Sequence, residues 1–410
     1  MRRRGTALLA ASLITVLTGC GSVSGTATPA EVDIRTLDVG PYPTEPYDAH
    51  DDPKLPDFYE MYKVAGMRIA DYVVNSHDID PQMIYGKRAS TVSAGLLPQA
   101  LGNDIALEPV AKKHKLLYGF ESSGASADAT INSPSTWPSK KDTTKFTATT
   151  MVLQFPDAAA ATAAAREFHD IDLAAQEGRN QPVSLPKHPA ALSHWRPDAP
   201  FLRTVMPHGP YVIAFLLSVP SPDLPGLTTM AETAYTKQIE ALAKTTPLTD
   251  EEVMSLPWDP DRLVARTLNP EELANPDGSG TLLVTGKHGV LHYSGDALPS
   301  DRQYVDQQLT AMKAEQVALS WGSIGIRTPD RDTAERAVAD RLFPWRTKAE
   351  AAAPPNVPDA VCVENQSLAT KTRFSCMVAY NQYVGIVGGH QLLDAHQRAA
   401  AQYALFANTR

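Results

Sequence analysis

The chain has 410 residues, a formal charge of −9, 43% hydrophobic and 20% charged residues, and three cysteines. That length allows two or three domains, and the ordinary apolar content excludes bulk disorder. The acidic balance excludes the basic footprint of a nucleic-acid binder, and three cysteines are too few for a disulfide scaffold or a multi-zinc protein.

At the start, Arg2, Arg3 and Arg4 precede an uncharged, mostly apolar run of 13 residues, Thr6 to Thr18. A membrane-spanning helix needs about 20 residues, so 1–19 reads as a secretory signal. Leu17-Thr-Gly-Cys20 follows at once. The small residues before the cysteine make this segment similar to a bacterial lipobox, which implies acylation of Cys20 and a membrane anchor. Cleavage there removes three arginines and no acid, taking the charge from −9 to −12. An acidic body of this kind is repelled by anionic lipid surfaces and by nucleic acid.

Residues 20–56 are rich in Gly, Ser, Thr, Pro and acids and have little apolar periodicity. A disordered, partly extended tether is expected. Phe58 to Val74 then reads as a helix, with Met61, Ala65, Ile69 and Tyr72 on one face. Leu116 to Phe120 reads as a strand.

An internal repeat follows. Met151–Phe155 is a strand pattern closed by Pro156-Asp157, with an Ala-rich helix from Ala158 to about Ile171; Ser323–Arg327, Pro329-Asp330 and a helix to about Leu342 repeat it. Proline ends each strand by removing a ladder donor, and aspartate caps the next helix. Two hairpins repeat as well: Phe201–Met206 with Tyr211–Val219, and Phe374–Tyr380 with Tyr383–Val387. The offsets agree, 173 residues between Pro156 and Pro329 and 172 between Tyr211 and Tyr383. Each copy closes with a helix, about Thr229 to Lys244 and about Leu392 to Ala407. The expected fold is α+β: two related units, each an antiparallel sheet with helices packed on one face. Between the copies, Thr249 and Glu252 form a capping box that opens a short helix. Gly280–Val284 and Gly289–Tyr293 read as strands around a Lys287-His288-Gly289 turn, and Asp301–Ala314 as a helix. The expected domains are 57–270 and 280–410, with the boundary near 270–280.

Once Cys20 is acylated, Cys362 and Cys376 remain, 14 residues apart. In an exported protein they are expected to form a disulfide, worth roughly 3 kcal/mol for a loop of that size.

Catalytic motifs are missing. Gly119-Phe-Glu-Ser-Ser-Gly124 has one residue too many for a nucleophile elbow, and there is no zinc-protease motif and no Walker loop. Gly388-Gly389-His390 opens a helix and reads as a tight turn. The titratable residues that remain for chemistry are His188, His194 and His208, with Asp170, Asp172 and Glu177 as carboxylates and Ser193 as a hydroxyl. A catalytic site would bring His194 or His208 to Asp170 or Ser193; the plainer expectation is solvent-facing loop residues and a solvated helix end. Trp137, Trp195, Trp258, Trp321 and Trp345 belong to the core, with one or two free to line a groove between the halves. No metal, cofactor or catalytic residue is expected.

The lipobox, the Pro/Thr tether, the duplicated halves and Leu153-Gln-Phe-Pro-Asp-Ala-Ala-Ala160 together resemble a family of actinobacterial lipoproteins of mycobacterial and nocardial type. Asp78-Ile-Asp-Pro81 and the Cys pair of the second half are similar too. The resemblance implies a domain of unknown function at the extracytoplasmic side of the membrane, and no active-site residues. A looser similarity links the chain to extracytoplasmic sensor domains of actinobacterial kinases. Two function classes stand open. One is a non-catalytic envelope lipoprotein that binds a lipid, a glycan or a protein partner; the other is a hydrolase or transferase acting on envelope polymers.

Overall fold

The computed structural model describes residues 32–46, 58–95, 97, 101, 104–128, 145–175, 178–257, 259–270, 283–295, 297–320, 322–366 and 372–408. The signal segment and Cys20 lie outside these.

The first unit runs α1 (Phe58–Ile69), α2 (Ser76–Ile79), β1 (Tyr85–Val92), α3 (Asp104–Lys113), β2 (Tyr118–Ala125), β3 (Thr147–Gln154) and α4 (Ala158–Ala174). It continues with β4 (Gln181–Val183), β5 (Leu192–Trp195), β6 (Phe201–His208), β7 (Tyr211–Ser218), α5 (Leu224–Leu242) and the short α6 (Asp250–Met254). The second runs β8 (Leu283–Gly286), α7 (Lys287–Leu291), α8 (Arg302–Ala311), β9 (Gln316–Ser320), β10 (Ser323–Arg327) and α9 (Arg331–Ala339). Then come β11 (Thr347–Ala351), β12 (Val361–Asn365), β13 (Phe374–Tyr380), β14 (Tyr383–Gly389) and α10 (Leu392–Ala407).

The described residues form two seven-stranded antiparallel sheets, ordered β1-β2-β3-β7-β6-β5-β4 and β8-β9-β10-β14-β13-β12-β11. The two orders superimpose strand for strand, so the duplication extends beyond the elements legible in sequence. The repeated local signals work as the residues dictate. Asp157 accepts from Ala160 N and Asp330 from Thr333 N, each at the mouth of its helix. The hairpin turns begin with Gly209 (φ +55°) and Asn381 (φ +47°), residues that tolerate left-handed backbone. A further repeat is visible only in three dimensions. Gln238 of α5 donates to Tyr72 O and accepts from Val74 N, while Gln402 of α10 donates to Arg266 O and accepts from Leu268 N. Each buried amide thereby satisfies two backbone groups of the segment that enters its unit.

Three expectations are corrected. Helices cover both faces of each sheet. Val152, Ile213 and Phe215 pack with α5, whereas Met151, Val212 and Ala214 pack with α4. In the second unit Cys376 and Val387 pack with α10, and Met377 and Ile386 with α9. The continuous apolar run Tyr211–Val219 carried this signal, because a strand buried on both faces need not alternate. Second, residues 32–46 do not behave as a tether. Leu37 is buried in the second unit's core with Val32, Val39 and Tyr42 beside it. Tyr42 donates to Asp394 (2.5 Å), and Asn408 donates to Thr44 O (2.6 Å). Third, Leu263, Val264 and Leu268 belong to that same core, so the second unit begins well before 280.

Cys362 and Cys376 are bonded. They face each other directly across β12 and β13, with Cα atoms 4.1 Å apart, and both are buried. The ladder keeps these strands in register even when the thiols are reduced, so the stabilisation should fall at the low end of the usual range. Replacing both cysteines by alanine should cost about 2 kcal/mol, read by urea unfolding. An unchanged midpoint would show that the bond adds nothing to the ladder.

Candidate functional site

The loop region singled out in sequence does contain a convergent cluster. His169 and Asp172 stand near the end of α4, and His194 and Arg203 are paired neighbours on β5 and β6. Arg203 Nη1 donates to both Asp172 oxygens (2.8 and 2.9 Å), and His194 Nε2 lies 3.2 Å from the same carboxylate. The His169 and His194 rings are 5.5 Å apart. Burial pulls the Asp172 pKa upward, but the His194 hydrogen bond and the Arg203 charge outweigh it and hold the carboxyl below its usual value. Burial, with His194 nearby, pushes His169 down and favours its neutral form.

Ser193, the hydroxyl that the sequence offered, does not join this cluster. Ser193 and His194 are consecutive strand residues, so their side chains leave opposite faces. The Ser193 hydroxyl pairs with Thr204 (2.6 Å), which pairs with Tyr235 (2.8 Å) on the α5 side. Asp170 is exposed, His188 sits on Thr236 and the Glu232 carbonyl, and His208 is half-buried at the end of β6. Glu177 lies outside the described residues. The void beside His194 measures about 20 Å³, room for one water. Arg203 and His169 were not foreseen as members. Arg203 is the lone charge in an otherwise apolar and hydroxyl-bearing strand, and that was the available signal.

The larger space lies where the units meet. Asp71, just after α1, accepts from Gly286 N (2.8 Å) and Gly289 N (2.7 Å) and so caps α7 of the other unit. His288 of α7 and His292, which follows it, reach back to the carbonyls of Val73 (2.9 Å) and Ala70 (3.0 Å). Arg302, fully buried, donates to Ser76 Oγ (2.7 Å) and Leu291 O (3.0 Å). The Lys287-His288-Gly289 segment expected as a turn between strands is therefore part of a helix, because its missing cap arrives from 215 residues away.

Beside this seam is a cleft of about 370 Å³. Arg68, Ile69 and Tyr72 line it from the first unit's entry, and Tyr118 and Tyr211 from β2 and β7. Leu248 and Leu256 close it from the inter-unit segment, and Thr285 and Gly286 from β8. Gln154 holds the closing segment in place. It donates to Leu248 O (2.5 Å), accepts from Leu248 N (3.2 Å) and accepts from Tyr118 OH (2.5 Å). Burial pushes the Tyr211 phenol up to about 12, so it stays protonated at neutral pH. Among the described residues the aromatic side chains lining the cleft are tyrosines, Tyr72, Tyr118 and Tyr211. Trp195 packs in the first unit's core and Trp345 donates to Asn365 (2.7 Å), while Trp137, Trp258 and Trp321 lie outside the described residues. Among the described residues no group of three or more His, Cys, Asp or Glu is placed to hold a metal, and no helix is long and apolar enough to cross a membrane.

Two family models match the chain: "Domain of unknown function (DUF7373) N-terminal" over residues 52–258 and its "C-terminal" counterpart over 263–409. No curated protein matches. Among solved structures, the extracellular domain of PknH from Mycobacterium tuberculosis is similar at 10% identity and a TM-score of 0.29, over 45% of this chain and 98% of that one.

Proposed function

The chain belongs to the DUF7373 family, and from that premise we propose that it is an actinobacterial-type envelope lipoprotein, anchored through a lipid on Cys20 at the extracytoplasmic side of the cell membrane, that binds a ligand rather than transforming one. The ligand is an envelope lipid or glycan held between the two units, or a protein partner. The cleft of about 370 Å³ carries this reading, since it has the size and mixed lining of a small-molecule site. The alternative, a hydrolase or transferase acting on envelope polymers, would draw on the His194 cluster, where a void of about 20 Å³ leaves no room for a sugar or peptide.

Packing of 32–46 on the second unit adds a consequence for the anchor. Cys20 is 12 residues from Val32, a reach of at most about 40 Å at full extension. The anchored segment then joins the folded body at the second unit.

Native mass spectrometry of the detergent-extracted chain tests the binding reading. A co-purifying lipid or glycan mass is expected, and a clean apo mass would overturn the small-ligand form in favour of a protein partner. Cys20→Ala should move the protein out of the membrane fraction; continued membrane residence would sink the lipid anchor.

A further inference from the structure

Resting on the reading of the cleft as a ligand site, we propose that its ligand is an acid, a carboxylate or phosphate on a compact apolar body, and that Arg68 reads the negative charge. The charges around the cleft are unequally spent. Asp71 gives both oxygens to the amides of α7, and Asp259 gives its two to Val264 N (2.9 Å) and Ala265 N (2.8 Å). Arg68 has no such saturation. It donates to the neutral carbonyl of Pro257, and no carboxylate of the described residues forms an ion pair with it. Asp259 acts on it only through space, and burial works against its charge. A half-buried guanidinium facing a cavity with no carboxylate in direct contact is stabilised by an anion that enters.

The surroundings fit the same chemistry. Tyr211 has a protonated hydroxyl whose pKa is moved by burial, and it makes no side-chain hydrogen bond among the described residues, so it can donate to a ligand. Ile69, Leu248 and Leu256 give apolar walls for the body of the ligand. A cationic ligand would meet Arg68 with two carboxylates already committed to backbone amides.

The test uses the detergent-solubilised full chain and matched probes that share one body, 1-naphthyl phosphate and neutral 1-naphthol. The phosphate should bind at least about tenfold more tightly. Arg68→Gln should abolish that preference, Arg68→Lys should retain part of it, and far-UV circular dichroism should report both variants folded. Phosphatidylglycerol and phosphatidylcholine, added in micelles and read by native mass spectrometry, separate the sources. Retention of phosphatidylglycerol alone identifies a lipid headgroup, and binding of naphthyl phosphate alone identifies a free acid. Equal binding of the two naphthyl probes, or a preference that survives Arg68→Gln, overturns the charge assignment and leaves the cleft as a site. If no probe binds, the cleft reading falls with it.

Discussion

Asp172→Ala should lower folding stability by about 3–5 kcal/mol at pH 7, because it leaves the Arg203 guanidinium buried without its carboxylate. Both side chains are almost enclosed, 5% exposed for Arg203 and 12% for Asp172, so water cannot replace the lost partner cheaply. Arg203→Met should cost less, since it removes a buried charge and leaves Asp172 its hydrogen bond to His194. The pH dependence has a defined sign. The Asp172 pKa is depressed below its ordinary 3.8, so its contribution is present above that pH and fades as pH falls through the folded value. Wild type and Asp172→Ala should therefore converge in strong acid. Urea unfolding across pH reads this, and a loss under about 1 kcal/mol at pH 7 would show that Arg203 finds water after all.

Glu121→Gln should have the opposite effect, raising stability by about 3 kcal/mol at pH 8 and changing little at pH 4. Glu121 lies within β2 between Ser90 and Met151, 1% exposed, with Oε2 lacking a partner among the described residues. Burial pushes its carboxyl from 4.5 up to about 7, against the weaker pull of Arg88. Between those values the folded state holds a proton that the unfolded state has released. Wild-type stability must then fall as pH rises from 4.5 to 7, by about 1.4 kcal/mol per unit. Glutamine keeps the shape of the neutral acid and removes that slope. A slope that persists in the variant would place its origin elsewhere.

The candidate sites were only partly legible in the sequence. The sequence offered Asp172 and His194 as separate candidates and paired His194 or His208 with Asp170 or Ser193 instead, although strand parity alone would have separated Ser193 from His194. Arg203 carried no local pattern linking it to Asp172, because the contact depends on β5 and β6 pairing beneath α4. The cleft drew on residues from 65 to 316, and no window of sequence contains it.

What the sequence determined by itself was the local grammar and its repetition. Aspartate after proline opened α4 and α9, Gly209 and Asn381 turned the two hairpins, and Thr249 with Glu252 boxed α6. These interactions act within about four residues, so composition and spacing suffice to read them. The tertiary structure decided what depends on distant partners. It made 287–291 a helix through Asp71, folded 32–46 onto α10 through Tyr42 and Thr44, and covered both faces of each sheet. The reason is common to all three. An orphan amide or an apolar face is satisfied by whichever group the completed fold brings to it. Where that group lies more than two hundred residues away, as Asp71 does from Gly286, no local pattern announces it.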